Sequence, residues 1–75
     1  MLVTIKAETM WNPIARWVSL SRERREEITG GSNDSDWYAC KLDDGRYLRF
    51  RNDGKVELRC KDYYTVQTVF DDYPF

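Results

Sequence analysis

Residues 41–61, KLDDGRYLRFRNDGKVELRCK, alternate basic and aromatic side chains at a spacing of two. On an extended strand, residues i and i+2 share a face. Tyr47, Arg49 and Arg51 therefore project together, and so do Lys55, Glu57 and Arg59. Trp37, Ala39 and Lys41 join them from the run WYACKL just before. Cations in such a set neutralise phosphates or carboxylates, while flat rings stack on planar groups. Two partner classes use that chemistry. Single-strand nucleic-acid binders track phosphates with cations and stack bases on rings at about 1–3 kcal/mol each. Protein-recognition surfaces concentrate binding energy in Trp, Tyr and Arg. The plain alternative is that a sheet covered on one side has a polar outer face by default, with Arg49 and Glu57 as a cross-strand ion pair.

Catalytic chemistry has little to work with. The chain has no histidine, which removes the commonest general base and metal ligand together with any Ser-His or Cys-His pair. Two cysteines do not fill a four-ligand zinc site. The pairs Asp43/Asp44 and Asp71/Asp72 sit in turn or tail contexts, where aspartate serves backbone geometry. The glycine turns DGR and DGK are not strand-to-helix phosphate loops. The expectation is a protein with no enzymatic activity, cofactor or metal. The formal net charge of −1 also weighs against whole-molecule attraction to nucleic acid or to an anionic membrane. Asp43, Asp44, Asp53, Asp71 and Asp72 would ring the cationic face and repel phosphate.

The elements that must position these side chains follow from punctuation and period. Residues 2–9 alternate with Val3, Ile5 and Ala7 in phase and read as a strand. For 13–29, Asn12 suits an N-cap, Pro13 a first-turn position and Gly30 a left-handed C-terminus, so the segment reads as a helix. Ile14, Trp17, Val18 and Ile28 form its apolar stripe, with Leu20 off it. Arg22 and Glu26 are spaced for an i,i+4 pair on a solvated face. A competing reading runs a strand through Trp17, Val18 and Leu20 and gives an all-β small barrel.

WYACKL, RYLRFR and KVELRC are separated by DDG and NDG, three-residue hairpin loops closed by glycine. With those loops, Tyr38 faces Phe50, Cys40 faces Leu48, Phe50 faces Val56 and Leu48 faces Leu58. A slip of one residue would mix the faces. The inner face then carries Tyr38, Cys40, Leu42, Leu48, Phe50, Val56, Leu58 and Cys60. Residues 64–70 read as a further strand whose register is open, because the KDY turn lacks glycine.

The expected fold is a single α+β domain over residues 1–75. It has an antiparallel meander of about five strands, in the order β-α-β-β-β-β, and one helix packed on one face. A flexible loop is expected near 30–36, and the tail 71–75 is either flexible or folded back. Three Trp, five Tyr and three Phe supply area that so short a chain otherwise lacks. No apolar run approaches a membrane span and the start lacks a signal-peptide layout, so a cytoplasmic protein is expected. Cys40 and Cys60 fall on strands separated by a third, about 9.6 Å apart, beyond the roughly 7 Å a disulfide tolerates. Buried free thiols are expected. The partner-binding residues are then Trp37, Lys41, Tyr47, Arg49, Arg51, Lys55 and Arg59, with Tyr73 and Phe75 as a second contact. The function expected is non-catalytic binding of another protein with an acidic or mixed surface, in the manner of an adaptor or a phage-type inhibitor of a larger host complex. Single-stranded nucleic-acid binding is the alternative. Oligomeric state has no signal in the sequence.

Overall fold

The computed structural model describes residues 3–70. The chain runs β1 (Val3–Ile5), a single 3₁₀ turn (Ala7–Thr9), α1 (Trp11–Ser19), α2 (Arg22–Thr29), β2 (Trp37–Leu42), β3 (Tyr47–Arg51), β4 (Val56–Arg59) and β5 (Val66–Phe70). The five strands form one sheet in the order β1-β2-β3-β4-β5. It is a small α+β domain. The meander spans β2 to β5, all antiparallel, whereas β1 lies parallel to β2 with Val3 beside Cys40 and Ile5 beside Leu42. A parallel neighbour needs a long crossover, and the helical segment between β1 and β2 supplies it.

Two short helices stand where one was expected. The first begins at Trp11, so Asn12 lies inside it and Pro13 occupies its first turn, where a missing N–H costs nothing. Leu20 is extended, with ψ 150°, and ends α1. Ser21, also extended, restarts the helix by accepting the Arg24 N–H at 3.2 Å. The phase slip at Leu20 in the sequence marks this break. Gly30 closes α2 with φ 76°, as its position implies. Helical residues across the segment rule out the all-β barrel.

The core lies between α1 and the inner sheet face. Ile14 and Trp17 pack on Cys40, Leu42, Leu48, Phe50, Val56 and Leu58, and each fully buried large side chain of this kind contributes about 1.5–3 kcal/mol. The Trp17 indole N–H donates to the Arg51 carbonyl at 2.8 Å. By contrast α2 buries none of its residues, and Ile28 is exposed rather than part of an apolar stripe. Polar contacts hold α2 in place: Arg25 donates to the carbonyls of Asn52 and Leu20, and Arg22, which pairs with Glu26 along the helix, also reaches Asp34 at 2.7 Å and the Ser32 carbonyl at 3.0 Å.

Asn52 is fully buried. Its Oδ1 accepts the Thr29 hydroxyl at 2.9 Å, and its Nδ2 donates to the carbonyls of Gly31 and Asn33 at 3.0 and 3.1 Å. Loop 30–36 is thereby tied to the β3–β4 hairpin. The thiols are both free, but only Cys40 is buried. Cys60 lies just past β4, where the chain has left the sheet interior, and is exposed, correcting its inner-face assignment.

Candidate functional site

The two glycine turns set the geometry of the outer face. Gly45 and Gly54 adopt positive φ, 94° and 90°. The Leu42 N–H donates to Arg46 and the Arg51 N–H donates to Lys55, closing three-residue loops. The pairs follow: Trp37 with Arg51, Ala39 with Arg49, Lys41 with Tyr47, Arg49 with Glu57 and Tyr47 with Arg59. Trp37, Lys41, Tyr47, Arg49, Arg51 and Arg59 thus share the face that their spacing implies.

That face is not a loosely solvated back. Glu57 is buried, and its Oε1 accepts Arg59 Nη2 at 3.1 Å while lying 3.6 Å from Arg49 Nε. Two guanidiniums share one carboxylate, which leaves local positive charge. Arg51 pairs instead with Asp53 at 3.0 Å. The Arg49 guanidinium lies over the Trp37 ring, 4.6 Å from its centroid, and Arg59 lies over Tyr63 at 5.0 Å, a cation–π stacking that orients charge and ring together. The layer is not the cheapest packing. The Nε–H groups of Arg51 and Arg59 are buried with no acceptor in hydrogen-bond reach, and that of Arg49 has only the Glu57 carboxylate, at 3.6 Å.

Tyr63 is the residue that sequence reading misses. It belongs to the β4–β5 turn and is the non-glycine residue with positive φ among those described, 69°. A tyrosine held there costs about 1–3 kcal/mol of strain and persists only where its surroundings over-determine it. Here they do. The Tyr63 N–H donates to Cys60, its carbonyl accepts Arg59 Nη1 at 3.0 Å, and Asp62 accepts the Tyr64 and Thr65 N–H groups and the Thr65 hydroxyl. Those donors hold the Asp62 carboxyl below its ordinary range. The turn folds the Tyr63 ring back over the sheet, edge-on to Tyr47 at 5.4 Å and 6.5 Å from Trp37. No periodic signal marks it, because the conformation comes from the turn rather than from a strand.

The result is a cleft of about 410 Å³ lined by Trp37, Ala39, Tyr47, Lys61 and Tyr63. Ala39 is the small residue of its cross-strand row, beside Arg49 and Glu57, and forms the floor. Lys55 lies at the β3–β4 turn, its N–H donating to Asp53 Oδ1 at 3.0 Å. Among the described residues, no carboxylate lies within ion-pair distance of Lys41, Lys55 or Lys61. Tyr73 and Phe75, the expected second contact, lie outside the described residues. Among the described residues there is no cluster of potential metal ligands and no helix long and apolar enough to cross a membrane. Compared with models of known protein families, with characterised proteins and with solved structures, the chain matches none.

Proposed function

We propose that this protein is a non-catalytic recognition module that binds another protein through the outer face of its sheet, with the ring-lined cleft at the centre of the contact. The observation that carries this reading is the cleft of Trp37, Tyr47 and Tyr63 over Ala39, backed by arginines already oriented on the rings. Trp, Tyr and Arg supply most interface hot spots, and side chains ordered in advance lose less entropy on binding. Lys41 and Lys61, which have no carboxylate within ion-pair distance among the described residues, favour an acidic or mixed partner surface. A compact adaptor or a phage-type inhibitor of a larger host complex fits the size and the absence of a histidine or a phosphate-binding glycine loop. A cytoplasmic setting accords with the two free thiols.

Single-strand nucleic-acid binding is the weaker reading. Arg49, Arg51 and Arg59 already serve Glu57 and Asp53, which leaves three lysines for phosphates. Such a site would show a log–log salt slope of only about −2. The test pairs a protein pull-down with oligonucleotide titration at low and moderate salt, using the full chain and a Trp37→Ala/Tyr47→Ala variant. Expected is a protein partner recovered by the wild type and lost by the variant, with no oligonucleotide bound at moderate salt. Tight oligonucleotide binding abolished by Arg49→Glu and Arg51→Glu together would overturn the proposal.

A further inference from the structure

We propose that the cleft is an anchor pocket for one aromatic side chain of an extended, acidic segment of the partner protein. This rests on the protein-recognition reading and specifies what the partner must present. Three observations lead to it.

The first is shape. Three rings, Trp37, Tyr47 and Tyr63, line a shallow, open cleft of about 410 Å³ with Ala39 at its base, room enough for one aromatic side chain to lie against apolar walls. A flat ring seats there by offset stacking on Trp37 and edge contact with the tyrosines. The second is the charge behind the walls. Arg49 already covers one face of Trp37, and Arg59 one face of Tyr63. A cationic occupant, the usual guest of an aromatic cage, would meet those guanidiniums and Lys61 as like charges. A neutral ring meets no such penalty. The third is the rim. Lys61 lines the cleft and Lys41 lies in the same cross-strand row as Tyr47; among the described residues neither has a carboxylate within ion-pair distance, and the Asp44 carboxyl, held low chiefly by Arg46, is the one that feels Lys61. Carboxylates on either side of the anchoring ring complement them, and an extended segment places its neighbours along the flat sheet face.

The probe is a synthetic nine-residue peptide with one central tyrosine between two pairs of aspartates, titrated into the full chain by tryptophan fluorescence and by chemical shifts at Ala39. Expected is binding at least about tenfold tighter than for the same peptide with serine in place of tyrosine, the worth of one hot-spot ring. Binding should weaken by about two- to fivefold for each of Lys41→Glu and Lys61→Glu, in keeping with exposed charge pairs. Ala39→Leu fills the floor and should remove tyrosine-dependent binding. Tyr47→Ala gives a second route to the same loss should the leucine disturb folding as judged by circular dichroism.

Equal affinity for the serine peptide, or full binding by both folded variants, overturns the proposal. So does a ten-nucleotide oligothymidine that displaces the peptide with steep salt dependence, which places a base in the slot. Peptide binding that emerges only with Tyr73→Ser and Phe75→Ser also overturns it, by assigning the cleft to the chain's own end. If the recovered protein partner binds Ala39→Leu with unchanged affinity but not the Trp37→Ala/Tyr47→Ala variant, recognition through this face stands and the anchor reading alone falls.

Discussion

The inner and outer faces of β2, β3 and β4 are built from alternate residues of the same strands, yet they are closed by different means. Leu42, Leu48, Phe50 and Val56 on the inner face are buried beneath α1 and its partners. On the outer face no helix or strand of the described residues lies above the sheet, and the covering is made by the side chains themselves. Arginines lie flat on rings, Glu57 sits between two guanidiniums, and Tyr63 folds back from a turn. The inner face buries its central apolar side chains, and an open groove lined by Val3, Ile5, Pro13, Trp17, Leu20 and Ile28 remains beside α1. The outer face is tied by ion pairs and cation–π contacts while Trp37, Lys41 and Lys61 stay exposed, a combination that would let it meet a partner without rearranging.

The sharpest way to break the inner side is Leu48→Ala. The expected loss is about 3–5 kcal/mol, lost transfer energy plus a cavity, against a total of about 4–11 kcal/mol for a domain of this size. Urea unfolding should show a collapsed midpoint. A change under about 1 kcal/mol would mean that the inner face is not the core. On the outer side, Glu57→Ala leaves Arg49 and Arg59 without their shared carboxylate. The expected cost is about 2–3 kcal/mol, less than for a fully buried pair because both guanidiniums keep some water contact. Measured in the same way, no loss would show that the charged layer adds nothing to stability.

Tyr63→Gly sharpens the contrast further. Glycine takes φ 69° freely, so relief of strain of about 1–2 kcal/mol offsets most of the lost ring packing. Stability should change by less than about 1 kcal/mol while partner binding is lost, and loss of both together would make Tyr63 a structural residue only. The smallest effect is acid dependence. Hydrogen bonds to the ionised form hold the Asp62 carboxyl low, so its contribution is complete above the ordinary aspartate value near ~3.9. It is lost as pH falls through the lower folded value. Amide signals of Tyr64 and Thr65 should shift in that acid window, and Asp62→Asn should abolish the dependence.

How much of this was legible depends on whether a local rule governs each residue. Asp-Asp-Gly and Asn-Asp-Gly fix loop length, loop length fixes register, and register sorts every side chain of β2 to β4. The outer-face set could therefore be read off the chain, Ala39 included. The parallel placement of β1 has no local sign, because strand direction is settled by a crossover of more than thirty residues. The split of the helix left only the off-phase Leu20 as a trace. Tyr63 and Lys61, which complete the cleft, occupy a glycine-free turn whose shape comes from Asp62 and Arg59, a tertiary cause that alternation does not encode.

The two hairpin loops look interchangeable, Asp43-Asp44-Gly45 against Asn52-Asp53-Gly54, and as chain reversals they are. At the leading position they are not. An aspartate in place of Asn52 would aim a carboxylate at the carbonyl oxygens of Gly31 and Asn33, where two N–H bonds now point. One nitrogen in place of an oxygen thus sends two near-twin corners to opposite ends of the helical arm: Asp43 Oδ1 accepts the Ala7 N–H at its start, and Asn52 donates to the loop at its finish.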